Sequence, residues 1–145
     1  MSRWLIWLPL MAAISMSCTG AMADTLTPAD AIQRTAHGSV AFGTYSFVVR
    51  SVGAARGEVY LNSEEDYRSP RNLSAEVSPG AARDLKATHG DDLAAFFVGK
   101  TVWVRGDARR VPIDVVAGGM PIGKGYYQHD IAVTDVSQIS LTPPD

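Results

Sequence analysis

The chain has 145 residues, 46% of them hydrophobic, with 13 basic against 15 acidic side chains. That length fits one domain with a sizeable core, and a formal charge of −2 excludes capture of polyanions by the overall field alone. One cysteine and three widely separated histidines (His37, His89 and His129) match no metal-ligand spacing, so no metal or cofactor is expected.

Residues 1–23 have the order of a Sec signal peptide. Met1-Ser2-Arg3 supplies one positive charge, Trp4 to Met16 is mostly apolar, and Ala21-Met22-Ala23 is an A-x-A cleavage site before Asp24. The apolar run is shorter than the roughly 20 residues a membrane span needs. Export to the periplasm or outside the cell is therefore expected, with no stable span after cleavage. Lipidation at Cys18 is disfavoured, because no leucine stands three positions upstream. Cleavage also removes the single thiol, and the loss of Arg3 leaves 12 basic residues against 15 acidic.

Residues 24–39 read as an N-terminal extension. Thr27 can cap a short helix with Pro28 at its first position, running through Arg34 and ended by Gly38. Val40 to Val52 reads as one bent first strand, rich in Phe42, Tyr45, Phe47, Val48 and Val49. Glu58-Val-Tyr-Leu-Asn62 alternates, with Val59 and Leu61 inward and Glu58, Tyr60 and Asn62 outward. Ser63 to Arg71 is a polar loop, and Asn72 to Val77 alternates again. Ser78 caps a helical region from Pro79 to about Phe97, which His89-Gly90-Asp91-Asp92 divides into two pieces, Asp91 lying near the second start. A fourth strand follows, with Val102 and Val104 on one face, Trp103 and Arg105 on the other, and Gly106 able to bend it. Pro112 to Gly125 reads as a glycine-rich hairpin loop. Tyr126 to Val133 is the fifth strand, Ser137 to Leu141 adds a short extended piece, and 142–145 is a tail.

Three strands, a helical region, then two strands is the order of an OB-fold. Glu58-Val-Tyr-Leu-Asn62, Gly99-Lys-Thr-Val-Trp-Val-Arg-Gly106 and Asp130-Ile-Ala-Val-Thr-Asp-Val-Ser-Gln-Ile-Ser140 carry the likeness. Residues 40–141 thus resemble the OB-fold family, most of all its small secreted bacterial binding modules. The resemblance implies a mainly β fold: a five-stranded Greek-key barrel with a helix between strands three and four. It also implies binding of oligonucleotides or oligosaccharides on strands two and three and the adjoining loops. A different small β-barrel or an α+β sandwich is the structural alternative.

Several motifs carry no chemistry. Gly118-Gly-Met-Pro-Ile-Gly-Lys-Gly125 nearly matches a phosphate-binding loop, but Gly125 stands where a hydroxyl is needed and a strand follows. Asp91-Asp92 and Glu64-Glu65-Asp66 lack the calcium-loop pattern and read as solvated charges. The histidines read as surface or edge residues. No G-x-S-x-G elbow occurs, and no enzyme is expected.

The candidate ligand-binding residues are Arg50, Tyr60, Asn62, Trp103 and Arg105. Aromatic rings with guanidinium neighbours can stack bases and hold phosphates, and the same rings can stack on sugars. Arg109 and Arg110 would extend a basic patch, with Asp107 among them to neutralise it. One expectation is an exported module that binds single-stranded nucleic acid. The other is an envelope module for a protein, glycan or small ligand, with no nucleic-acid role. Packing of Trp103 against the barrel end or the N-terminal extension is the alternative without a ligand.

Overall fold

A computed structural model describes residues 24–145; the expected leader lies outside the described residues. The elements are β1 (Thr25–Leu26), α1 (Pro28–Thr35), β2 (Ala41–Val48), β3 (Ser51–Ala55), β4 (Glu58–Asn62) and β5 (Ser74–Val77). They continue with α2 (Pro79–His89), α3 (Leu93–Phe97), β6 (Thr101–Ala117), β7 (Met120–Val133) and β8 (Ile139–Ser140). The described protein is mainly β. Its eight strands form one sheet with the path β1-β2-β6-β7-β5-β4-β3, and β8 pairs with β6. The path is open, ending at β1 and β3.

The helices start where the sequence places their caps. Thr27 Oγ1 accepts from Asp30 N at 3.2 Å, and the Asp30 carboxylate accepts from Thr27 N at 2.7 Å, a reciprocal capping box. Ser78 Oγ accepts from Ala81 N at 3.3 Å to open α2. Asp92, one residue later than expected, caps α3 by accepting from Ala95 N at 3.0 Å.

The expected bent first strand is two strands. Val49 N–H donates to Lys100 O and Arg50 N–H to Asn62 O, both at 2.9 Å. Two consecutive residues therefore bond to different neighbours, and the ladder breaks between β2 and β3. The expected 112–125 loop is also strand. Gly118 and Gly119 alone make the turn, with φ of 60° and 82°, the two-residue hairpin geometry that glycine admits without strain. Val111, Ile113, Val115 and Val116 suit the extended backbone on its approach. From Arg110 and His129 to the turn, β6 and β7 pair only with each other, with a register shift between Asp114 and Val116. They form a protruding ribbon that exposes Val115, Val116, Met120 and Ile122.

Gly106 lies within the continuous β6, paired with Gly43 of β2. It permits a close approach: a Cβ there would lie 3.0 Å from Ile131 Cγ2 and 3.1 Å from the Ala132 carbonyl oxygen. The core is built by the inward residues of β2 and of β4 to β7, with Tyr45 and Phe47 contributed by β2. Val59, Leu61, Val77, Val102, Val104, Ile131 and Val133 are buried, together with Leu85 of α2 and Phe97 of α3. Alternation thus identifies the core face of β4, β6 and β7. It fails at β5, where Asn72, Leu73, Ser74 and Ala75 are all buried, because the loop before β5 folds over the outer side.

Candidate functional site

The outer face of β3, β4, β5 and β7 carries a cleft of about 320 Å³. Register explains its contents. Gly53 pairs with Tyr60, which pairs with Glu76; Ser51, Asn62, Ser74 and Asp130 form the next row. Gly53, Ala54 and Ala55 make a floor with almost no side-chain height, and Tyr60 and Tyr67 stand beside it. Asn62, Ser74 and Gln128 supply polar groups. Gln128 follows from alternation along β7, where Tyr126, Gln128 and Asp130 share the face opposite Tyr127, His129 and Ile131.

A buried polar network fixes this cleft. Asn62 Oδ1 accepts from Ser74 Oγ at 2.6 Å, and Asn62 Nδ2 donates to Ser51 Oγ at 3.2 Å. Asn72 Nδ2 donates to Ser74 Oγ at 2.9 Å and to the Tyr67 carbonyl at 3.3 Å. Asn72 Oδ1 accepts from Glu64 N at 3.1 Å. The network ties the 63–73 loop to β4 and β5, and so sets where Tyr67 stands. Asn62 is therefore buried and largely engaged by the protein, a bracing residue at the cleft's edge.

Carboxylates neighbour the lining residues without lining the cleft themselves. Tyr60 Oη donates to Glu58 Oε2 at 2.6 Å; burial and this bond both hold the phenol well above its ordinary pKa. Arg109 and Glu76 form an ion pair at 3.0 Å. Asp130 is 4% exposed, and its Oδ1 has no hydrogen-bond partner. Burial, then the Glu76 charge, raises its pKa to about 7, against the pull of Arg109. Among the described residues, no group of three His, Cys, Asp or Glu is placed to hold a metal ion. No described helix is long and apolar enough to cross a membrane.

The other expected site residues lie elsewhere. Trp103 sits on β6 between Ser46 of β2 and Ser140 of β8. Arg105 pairs with Thr44, and its guanidinium lies 5.4 Å from the centre of the exposed Phe42 ring. Two strands, β7 and β5, separate β6 from β4 along the sheet. Arg50 occupies the joint between β2 and β3 with its side chain exposed, and it does not line the cleft. The structure thus brings together Tyr60 and Asn62, but neither Trp103, Arg105 nor Arg50 with them. Equal alternation on two strands gave no measure of the distance between those strands.

Sequence reasoning missed Tyr67, Ser74, Gln128 and Asp130. Tyr67 lay in a polar loop with no period to orient it. The Tyr-Tyr-Gln-His-Asp run at 126–130 did carry a signal, since strict alternation sends Gln128 and Asp130 to the Tyr60 side. It also sends His129 inward: this residue, expected at the surface or an edge, is buried because it joins the core face of β7 beside α1. The chain was compared with protein-family models and with curated proteins, and neither comparison found a match.

Proposed function

We propose that the protein is an exported OB-type binding module whose cleft on β3, β4 and β5 takes a neutral, sugar-sized ligand. The OB-type reading is supported by connectivity. Helices α2 and α3 fall between β5 and β6, β5 runs parallel to β7, and β2 and β3, near opposite ends of the sheet path, are joined by two residues. In that reading β2 and β3 are the two halves of a first strand, and β4, β5, β6 and β7 are the remaining four. Export rests on the leader-like order of residues 1–23.

The observation that carries the ligand class is the uncharged polar and aromatic lining of the cleft. Tyrosine rings, a carboxamide and hydroxyls suit the flat faces and hydroxyl groups of a glycan. Glu58, Glu76 and Asp130 lie around them, and the nearby Arg109 is already paired with Glu76. A phosphate chain laid across this face would find no free cation in the lining and would run beside the Glu58 carboxylate, an unfavourable arrangement. The volume is within the usual range for small-ligand sites. The glycan reading is therefore favoured over single-stranded nucleic acid.

The test is isothermal titration with chitotriose, maltotriose and an eight-residue oligothymidylate at two salt concentrations. Saturable binding of a saccharide that changes little with salt and is lost in Tyr60→Ala supports the reading. Oligothymidylate binding lost in Tyr60→Ala and falling steeply with salt would overturn it in favour of nucleic acid. Absence of binding by either saccharide would overturn it as well.

A further inference from the structure

A second cleft, of about 430 Å³, opens at the base of the β6–β7 ribbon. Four segments converge there. Helix α1 gives Ile32 and Ala36, the 63–73 loop gives Arg68 and Pro70, β6 gives Arg110, and β7 gives Tyr126, Tyr127 and His129. In an acidic protein this lining holds two guanidinium groups and no carboxylate. Among the described residues the ion pair is Arg109 with Glu76, so neither Arg68 nor Arg110 is neutralised by one. Asp66, the acid closest in sequence to Arg68, accepts from the Arg68 backbone N–H at 2.9 Å.

Each cation is held in place by a group other than an acid. Arg110 donates from its NH1 to the Ala36 carbonyl at the end of α1. Its guanidinium carbon lies 3.5 Å from the centre of the Tyr127 ring. Arg68 Nε donates to Tyr67 Oη at 3.1 Å. Arginines fixed in this way lose little freedom when an anion arrives, and their planar donors match a phosphate or carboxylate.

The cleft also holds an unsatisfied group. His129 is 7% exposed, and its Nδ1 has no hydrogen-bond partner. A buried polar atom without a partner is uncommon, and this one belongs to a residue that lines the cleft. Tyr127, 51% exposed, offers ring surface for a flat group.

We propose that this cleft binds a small organic phosphate, with the phosphate between Arg68 and Arg110, a polar atom on His129, and a flat ring against Tyr127. Burial, then the Arg110 charge, holds His129 below its ordinary pKa, so the imidazole is neutral at pH 7 and hydrogen-bonds rather than pairs. The proposal does not rest on the saccharide reading, although the Arg68 bond to Tyr67 joins the two clefts. Tyr67 and Gln128 line the first cleft, Arg68 and Tyr126 the second, and the bond from Gln128 Nε2 to Tyr126 Oη (3.1 Å) lies between them.

The experiment is a two-dimensional NMR titration of the protein from residue 24 with 5′-AMP, adenosine and inorganic phosphate at low salt. AMP should give saturable shifts at His129, Tyr127 and the Arg110 side chain. Adenosine or inorganic phosphate should each bind about tenfold weaker or worse, since each lacks one half of the contact. Arg68→Gln should weaken AMP about fivefold or more, the scale of one lost charge-assisted bond. Arg110→Gln should do the same, but it also frees Ala36; Arg68, which is exposed, is the variant that decides. Arg83→Gln, the same charge change on α2, should shift affinity less than about twofold.

No saturation by AMP would overturn the proposal, as would unchanged affinity in Arg68→Gln. Inorganic phosphate binding as tightly as AMP would remove the ring and overturn it. An eight-residue oligothymidylate binding more than tenfold tighter than AMP would overturn it in favour of a nucleic-acid groove.

Discussion

The guanidinium of Arg109 crosses strand β7 to meet the Glu76 carboxylate at 3.0 Å, with Asp130 on the strand between them. Arg109 and Asp130 are register partners, yet the arginine's ion pair is with Glu76. Asp130 is left buried beside one paired acid and one paired base. A carboxyl so placed costs free energy to ionise, and this gives the fold a pH dependence with a definite sign.

In the unfolded chain Asp130 titrates near 3.8; in the fold it titrates at about 7. The folded state holds that proton more tightly. Stability from this group is therefore full below pH 3.8 and is lost as pH rises through 7. Asp130→Asn should be more stable than the parent at pH 8 by about 2 kcal/mol, below the full shift because the amide must also find partners. The gap should close toward pH 4. Urea unfolding across that range checks it, and parallel curves for the two proteins would remove Asp130 as the cause.

Val104 is fully buried on the core face of β6, so Val104→Asp places a charge in the core without a partner. The expected loss is about 3–5 kcal/mol, enough to leave much of a marginal domain unfolded. Thermal unfolding followed by circular dichroism checks it. Exchange of Val102 for Thr is milder in shape but still buries a hydroxyl, and should cost about 1–3 kcal/mol.

Much of this core was legible beforehand, and the reason is periodicity. Val102, Val104, Ile131 and Val133 alternate with outward neighbours, and a strand covered on one face writes that pattern into its sequence. The caps at Thr27 and Ser78 were legible because each satisfies backbone donors within three residues. The cleft was half legible: Tyr60 and Asn62 follow from β4 alone. Tyr67 depends on Asn72, and Arg68 meets Arg110 only through sheet order and the loop's return. Those are long-range relations, and no local period encodes them. Trp103 shows the converse, since correct outward alternation placed it on a strand far from Tyr60.

Tyr60→Ala should weaken saccharide binding about tenfold or more, roughly 1.4 kcal/mol, while Trp103→Ala should leave it within about twofold. Titration of both variants after a check of their unfolding separates site from scaffold. A larger loss in Trp103→Ala than in Tyr60→Ala would place the ligand on the β2–β6–β8 side instead.

Asn72→Ala deletes the carboxamide that joins Glu64 N, Ser74 Oγ and the Tyr67 carbonyl. The stranded partners should cost about 2–3 kcal/mol. Amide exchange in residues 63–73 should quicken by more than in α2, and saccharide affinity should fall because Tyr67 is no longer held. Equal quickening everywhere would mean a global rather than a local effect.

Export with cleavage after Ala23 predicts a secreted chain that begins at Asp24. Intact-mass measurement of the protein recovered from the cell envelope checks it. A chain starting at lipidated Cys18, or one that keeps Met1, would assign the N-terminus another role.

The ribbon formed by the outer parts of β6 and β7 has two bare edges, and bare edges invite other chains to add a strand. Two prolines interrupt that invitation. Pro112 and Pro121 carry no N–H, and a proline within a ribbon turns that missing donor outward. Asp114 and Lys124 add charge along the same stretch. With them in place, a hairpin that shows Val115, Val116, Met120 and Ile122 to water can extend from the sheet without serving as a template for fibres. Replacing both prolines with valine would restore the continuous row of donors and should turn the most exposed part of the molecule into its most aggregation-prone.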